Sequence, residues 1–286
     1  MKKLLFAFAI LFAIHESAYL SAVYAQSKDE QLTVEEKKSA QDLADRFINR
    51  LDETGDIEPI TKEMFASDFI ARYVVEQKRK RSLEKPSHGS IFYTSGLNYD
   101  PALLDVATEE DWRSFYLSTF NFMQYGFGVT LNAIAKSTLK GGPVEDDELE
   151  KAVHGMYPKS IVKIFNADPI LRNFIEKGDG PDKNIRTISD LRRVTNILTD
   201  AVKILRERNN ANRMKMTPDA RKVMSIMKEK MEEKTLPNLF IGDQDFFGFP
   251  KNTRFISIFP SITHNLLIVK IDGEYKILSA TLTSID

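Results

Sequence analysis

The stretch that decides the fold is His264-Asn-Leu-Leu-Ile-Val-Lys-Ile271, followed by Asp272-Gly273 and then by Glu274-Tyr-Lys-Ile-Leu278. Asp-Gly between two apolar runs is a strong hairpin signal, because a two-residue turn needs residues that tolerate positive φ. A third apolar run, Arg254-Phe-Ile-Ser-Ile-Phe259, precedes this pair and breaks at Pro260. The three runs predict a small antiparallel sheet at the C-terminal end of the sequence.

The chain before these runs has the periodicity of helices. Thr33-Val-Glu-Glu36 fits a capping box, and the apolar residues after it recur three or four positions apart. Thr108-Glu-Glu-Asp111 begins a long helix that is rich in aromatic residues, and a clear amphipathic helix begins at Thr187 or Ser189. Helices must therefore cover the sheet.

The organisation of the chain is predicted from the absence of repeats and low-complexity linkers. We expect a single α+β domain over residues 26–286, predominantly helical over 33–234 and β-rich over 236–284. The composition agrees, because 42% hydrophobic and 28% charged residues are typical of a folded globular protein.

The first 25 residues have the pattern of a secretory signal peptide. Lys2 and Lys3 precede an uninterrupted apolar run over residues 4–14, and Val23-Tyr24-Ala25 is a suitable cleavage site before Gln26. The run is shorter than the ~20 residues that a spanning helix needs. We expect export to the periplasm or the medium, without stable membrane insertion after cleavage; an uncleaved anchor is the alternative.

Cysteine content and charge limit the chemistry further. The chain has no cysteine, so it has no disulfide, no thiol nucleophile and no cysteine to lipidate. Its formal net charge is −1, and it becomes −2 without residues 1–25, which carry two lysines and one glutamate. This near-neutral charge gives no electrostatic basis for binding nucleic acid.

The sequence contains no strong metal or cofactor motif. His88, His154 and His264 are the histidines beyond residue 25, and none forms a local pair with the spacing of a helix-borne zinc site. The loop Asp179-Gly-Pro-Asp-Lys-Asn184 lacks the ligand spacing of a calcium loop. We expect no metal and no cofactor.

Two sets of residues are candidates for a functional site. Asp243 and Asp245 lie among phenylalanines, where desolvation could raise the pKa of one carboxyl and create an acid–base pair, with His264 as a third member. The alternative is that both aspartates form turn hydrogen bonds beside glycine.

The second set is aromatic. Trp112, Tyr116 and Tyr125 belong to the long helix and are candidates for the lining of a ligand pocket. Packing in an ordinary core is the alternative interpretation, because large aromatic side chains dominate core burial in general.

Two pieces of the chain resemble the NTF2-like (cystatin-like α+β) superfamily. One is the helix that ends Phe47-Ile-Asn-Arg-Leu-Asp-Glu-Thr-Gly-Asp56, with the short helix and Met64-Phe65-Ala-Ser-Asp68 after it. The other is the hairpin over Leu266–Leu278. The family's intervening strands are not evident between them, where a long helical segment stands. The resemblance implies an α+β fold; because the family includes enzymes, binding modules and assembly domains, it implies no catalytic residue.

These observations support three functional hypotheses. The first is an exported, non-enzymatic protein that binds an apolar small molecule or a protein partner, and the lack of a convergent polar motif favours it. The second is an exported hydrolase that uses Asp243, Asp245 and His264. The third is a structural or assembly module.

Overall fold

The structure is a computed structural model that describes residues 31–83, 99–139, 158–172, 185–208, 218–219, 221–222, 236–242, 245–261 and 264–282, with the backbone alone over 126–139. The helices are α1 (Val34–Thr54), α2 (Ile57–Met64), α3 (Phe69–Leu83), α4 (Leu103–Val106), α5 (Glu109–Leu139), α6 (Lys159–Ala167) and α7 (Ile188–Arg208). The strands are β1 (Asn238–Ile241), β2 (Arg254–Ser261), β3 (His264–Ile271) and β4 (Glu274–Leu282). The predicted α+β class, with helices dominant, is confirmed.

The chain forms two compact units. The sheet unit comprises Met1–Leu51, Glu58–Glu76 and Met224–Asp286, and the helical unit comprises Asp52–Ile57 and Gln77–Val223. This division leaves the single domain that we expect from the sequence as a prediction. None of the helices in the described ranges is both long and apolar enough to cross a membrane.

The four strands form one antiparallel sheet in the order β1-β2-β3-β4. The β3–β4 hairpin closes at the pair Ile271 and Glu274, and its two turn residues, Asp272 and Gly273, have φ values of 49° and 86°. Positive φ at both positions is the backbone conformation that a two-residue turn of this type requires. The predicted hairpin turn at Asp272-Gly273 is therefore confirmed.

The sheet differs from the sequence prediction at Pro260. Strand β2 continues through this residue to Ser261 instead of ending before it. The β2–β3 register shifts between Ile258 and Ser261, so Pro260 lies at an irregularity of the ladder. Proline has no N–H to donate to the ladder, and strands tolerate a proline at irregular positions of this kind.

Helix α1 packs on the sheet through its apolar stripe. The rings of Phe47 and His264 meet edge to face with their centroids 6.1 Å apart. At the start of the helix the predicted capping box is present, because Glu36 N donates to Thr33 Oγ1 and Thr33 N donates to Glu36 Oε2. The same Glu36 carboxylate accepts two hydrogen bonds from Arg254 of β2, at 2.8 and 2.9 Å. This pair holds the start of the helix to the sheet.

The helical unit is built on the long helix α5, along which α7 packs. Thr108 caps α5 by accepting from Asp111 N, and Thr187 caps α7 by accepting from Asp190 N. The buried side chains of α7 include five apolar residues that recur three and four positions apart, as expected for the predicted amphipathic helix: Leu191, Val194, Leu198, Ala201 and Leu205. The periodicity at three and four residues correctly identified this packed face.

A polar bridge connects the start of α2 to α5 and α7 within the helical unit. Asn121 of α5 accepts a hydrogen bond from Ile57 N at 3.0 Å and donates to Asp56 Oδ1 at 2.9 Å. The other oxygen of Asp56 lies 2.9 Å from the guanidinium of Arg206 on α7. Because one of the first N–H groups of a helix has no partner within it, Asn121 supplies a cap from a distant part of the sequence.

Candidate functional site

The aromatic residues of α5 form a buried cluster. Trp112, Phe115, Tyr116, Phe120 and Phe122 are each at most 4% exposed. Phe122 stacks on Phe165 of α6 with their ring centroids 5.2 Å apart. Ser118 and Asn121, which point away from this aromatic face, are also buried, so neighbouring elements enclose the helix on several sides.

The three aromatic residues proposed from the sequence differ in what they offer a ligand. Trp112 is fully buried, Tyr116 is 1% exposed and Tyr125 is 8% exposed. Tyr116 stacks on Phe120, one turn further along the helix. Among the three, Trp112 alone places a side-chain polar atom, Nε1, in a buried position without a hydrogen-bond partner in the described part of the chain.

A fourth aromatic residue, Tyr99, completes this cluster and was missed by the sequence analysis. Its ring meets Trp112 edge to face, with the centroids 4.9 Å apart. Tyr99 is held by a parallel bridge to Ile185, in which Asp100 N donates to Ile185 O at 2.7 Å. Both bridge residues are fully buried. Both residues lie outside the helices and strands, and this long-range pairing leaves no local signal in the sequence.

The hydroxyl of Tyr99 shares two properties with the indole nitrogen of Trp112. It is buried, and no described residue pairs with it. Burial raises the pKa of the Tyr99 phenol well above its ordinary value, because the charged form would lose its hydration, and the nearby Arg81 charge lowers it only in part. The phenol is therefore neutral and keeps its proton available for donation.

Arg81, the described charge that acts on the Tyr99 phenol, is already paired. Arg81 donates to the backbone oxygen of Pro101 at 2.8 Å and contacts Asp105 at 2.9 Å. Hydrogen bonds from Arg81 lower the pKa of Asp105 below its ordinary value. The cluster formed by Tyr99 and Trp112 thus has two neutral hydrogen-bonding groups in an aromatic environment, with its neighbouring cation held by a carboxylate.

The residues proposed for an acid–base site do not come together where they are described. Phe246, next to Asp245, contacts Phe255 near the start of β2, whereas His264 contacts Ser261 at its end. Six residues of strand separate these two points by about 20 Å. Asp245 is exposed and His264 is 5% exposed. Asp243 lies outside the described residues.

The aromatic connection before β2 packs as part of the sheet unit. Phe246 N and Phe249 O form a tight turn at 3.0 Å, and Phe247 N donates to the buried Glu76 at 3.4 Å. The guanidinium of Arg72 lies 4.0 Å from the ring centroid of Phe249, a cation–π contact. These contacts give the phenylalanines beside Asp245 a packing role.

Within the described residues, no group of three or more His, Asp or Glu side chains is placed to hold a metal ion. No protein-family model, curated protein or solved structure matches this chain. The geometry of the Tyr99 and Trp112 cluster is therefore the feature that indicates a function.

Proposed function

We propose that this chain is an exported, non-enzymatic protein whose helical unit binds a small, mostly apolar molecule. One observation carries the proposal: Tyr99 OH and Trp112 Nε1 are buried on two rings that contact each other, and neither atom has a partner among the described residues. A buried polar group without a partner costs about 1–3 kcal/mol. The rings that carry them are in contact, and native proteins pair nearly all buried polar atoms, which favours a bound molecule as the partner of both groups.

The surroundings of these two groups support a mostly apolar ligand. Phe115 meets Trp112 edge to face with ring centroids 6.3 Å apart, so two aromatic rings, those of Tyr99 and Phe115, contact the indole. Small-molecule sites combine such apolar walls with a small number of polar groups that fix the orientation of the ligand. The Tyr99 and Trp112 cluster has this composition.

Export is the part of the proposal that rests on residues 1–25. Their positive start, apolar run and small residues before Gln26 support cleavage by a signal peptidase. Sequencing the N-terminus of the chain purified from its own host tests this, and we expect Gln26 as the first residue. An intact Met1 on the purified chain would contradict cleavage.

The binding role is tested by native mass spectrometry of the chain purified gently from its own host. We expect a mass above that of the polypeptide, which denaturation releases as a small molecule. If the Tyr99→Phe variant loses this small molecule and the Tyr275→Phe variant retains it, the molecule is bound in the helical unit. A chain that carries nothing and binds no apolar probe would contradict the proposal.

The two other hypotheses have less support. A hydrolase would need His264 close to an aspartate, and Asp245 lies at the other end of β2 from it. An assembly module would need a contiguous apolar surface, and the described ranges expose only four large hydrophobic residues: Val34, Val75, Val106 and Leu236.

We also propose that the sheet unit is related to the NTF2-like superfamily. Support comes from helix α1, which contacts the antiparallel sheet through Phe47 and His264 and is followed by the short helix α2. An experimental structure in which α1 lies away from β3 would contradict this relationship.

A further inference from the structure

We propose that the molecule bound in the helical unit is uncharged and offers a hydrogen-bond acceptor to the indole N–H of Trp112 and to the hydroxyl of Tyr99. This inference rests on the proposed function and names the chemical class of the ligand. The chemistry of two side chains and of the charges around them carries it.

Trp112 sets the requirement for an acceptor. The indole Nε1–H donates a hydrogen bond and cannot accept one. The side chain is fully buried, and the described residues provide no acceptor for it. A bound molecule that satisfies this group must therefore present an oxygen or nitrogen lone pair, as a carbonyl or ether does.

Tyr99 provides the second polar contact. Its hydroxyl can donate or accept, so it can share the same acceptor or pair with a second polar atom of the ligand. Both polar atoms are fixed on rigid aromatic rings that pack against each other, 4.9 Å between centroids. Neither atom can reach a backbone carbonyl unless its whole ring moves.

Thr119 shows why the rigidity of the rings matters. Its hydroxyl is also buried without a partner among the described residues. However, a rotation about χ1 can direct a helical hydroxyl to a carbonyl three or four residues earlier, as Ser118 Oγ does to Phe115 O at 3.1 Å. The hydroxyl of Thr119 can therefore reach a partner by rotation within its own helix, whereas the polar atoms of Tyr99 and Trp112 are fixed on their rings and have no partner among the described residues.

Among the described residues, the charge that acts on the Tyr99 phenol is that of Arg81, and its pairing disfavours an ionic ligand. Arg81 is engaged by Asp105 and by the carbonyl of Pro101. A buried anion needs a cation that is free to pair with it, and a buried cation needs a carboxylate, because transfer of an unpaired charge out of water is costly. The paired Arg81 and the neutral phenol of Tyr99 supply neither.

The experiment uses the fact that Trp112 is the single tryptophan of the chain. Labelling the full chain with ¹⁵N-tryptophan gives one indole N–H signal, which reports on this atom alone. Three matched probes are titrated: acetophenone, which has a carbonyl acceptor, ethylbenzene, which has a similar shape and no acceptor, and benzoate, which is an anion. Native mass spectrometry of the same sample first identifies any molecule that the chain already carries.

We expect acetophenone to shift the indole signal and to bind at least about ten-fold more tightly than ethylbenzene, with no shift from benzoate. Tyr99→Phe should weaken acetophenone binding several-fold. Its indole signal should still be that of a folded chain. The control Tyr275→Phe removes a hydroxyl in the sheet unit and should leave the affinity unchanged.

The possible failures separate the two proposals. Equal binding of acetophenone and ethylbenzene, tighter binding of benzoate, or a retained molecule that is charged would overturn the ligand class and leave the binding function standing. Equal behaviour of Tyr99→Phe and Tyr275→Phe would remove the phenol from the site. A chain that retains nothing and responds to none of the three probes would overturn the binding function itself.

Discussion

His264 Nδ1 lies 2.7 Å from Ser261 Oγ, and both side chains are buried where β2 ends and β3 begins. Desolvation lowers the pKa of His264 from 6.5 to about 3, since the charged imidazolium would lose its hydration. The ring is therefore neutral in the folded protein over the whole physiological range of pH. Its contact with Phe47 places this neutral ring under helix α1.

The first prediction concerns the pH dependence of folding. The unfolded chain takes up a proton at His264 near pH 6.5, whereas the folded chain resists protonation down to about pH 3. The stability from this residue is thus fully present above pH 6.5 and is lost as the pH falls toward 3. The free energy of unfolding should decrease by about 1.4 kcal/mol per pH unit in that window from this group.

The test compares the chain with His264→Asn, whose amide can replace Nδ1 as the partner of Ser261 and does not titrate. Chemical denaturation between pH 7 and pH 5 measures both. We expect the unfolding free energy of the original chain, relative to that of His264→Asn, to fall by about 2 kcal/mol from pH 7 to pH 5. Glu36, whose pKa Arg254 lowers to about 2, affects stability only below pH 4.5 and does so in both chains. Parallel curves would show that His264 is not buried as described.

The second prediction compares two buried threonines on packed helices. Thr195 donates to Leu191 O at 2.8 Å, whereas the hydroxyl of Thr119 has no partner in the described part of the chain. Valine has the same shape as threonine without the hydroxyl. In the side-chain conformation that the structure shows, Thr119→Val removes no hydrogen bond and should be neutral or slightly stabilising, whereas Thr195→Val should cost about 1 kcal/mol.

Thermal unfolding of the two threonine variants beside the original chain measures this difference. The two substitutions are chemically identical, so changes of propensity and volume largely cancel. A Thr119→Val chain that loses as much stability as Thr195→Val would mean that Thr119 has a hydrogen bond in solution.

The third prediction concerns Gly273 in the hairpin turn. Its φ is +86°, and an added Cβ would meet no described atom within 4 Å, so substitution is limited by the backbone alone. Gly273→Val should destabilise the protein by about 1 kcal/mol or more, because a β-branched residue resists positive φ. Gly273→Asn, which tolerates this conformation, should cost less, and denaturant titration would measure both. Equal stability of the two variants would argue against the turn.

The fourth prediction concerns the bridge from Asn121. Asn121→Leu removes the acceptor for Ile57 N and the donor to Asp56, which leaves a buried N–H without a partner. We expect a loss of about 2–3 kcal/mol in unfolding free energy. Gln41→Leu is the control, because Gln41 is bonded to Asp45 on the exposed face of α1 and should change stability little. Comparable losses in both variants would show that the bridge contributes nothing specific.

Local signals in the sequence determined much of the fold. The Asp272-Gly273 turn followed from the positive φ that such a turn requires, and the caps at Thr33, Thr108 and Thr187 followed from side chains that bond the first N–H groups of a helix. The stripe of α7 followed from the helical period. Each of these features depends on residues close together in the sequence, so the sequence alone predicts it.

Tertiary structure decided the candidate site. The sequence identified Trp112 as one of several aromatic residues on a helix, and nothing local indicated that Tyr99 would lie against it. The bridge between Tyr99 and Ile185 joins residues more than eighty positions apart, and only the folded chain determines which buried polar atoms remain without a partner. Likewise, the separation of Asp245 from His264 is set by the length of β2. Burial and hydrogen-bond satisfaction are properties of the packed chain, which is why no sequence pattern contains them.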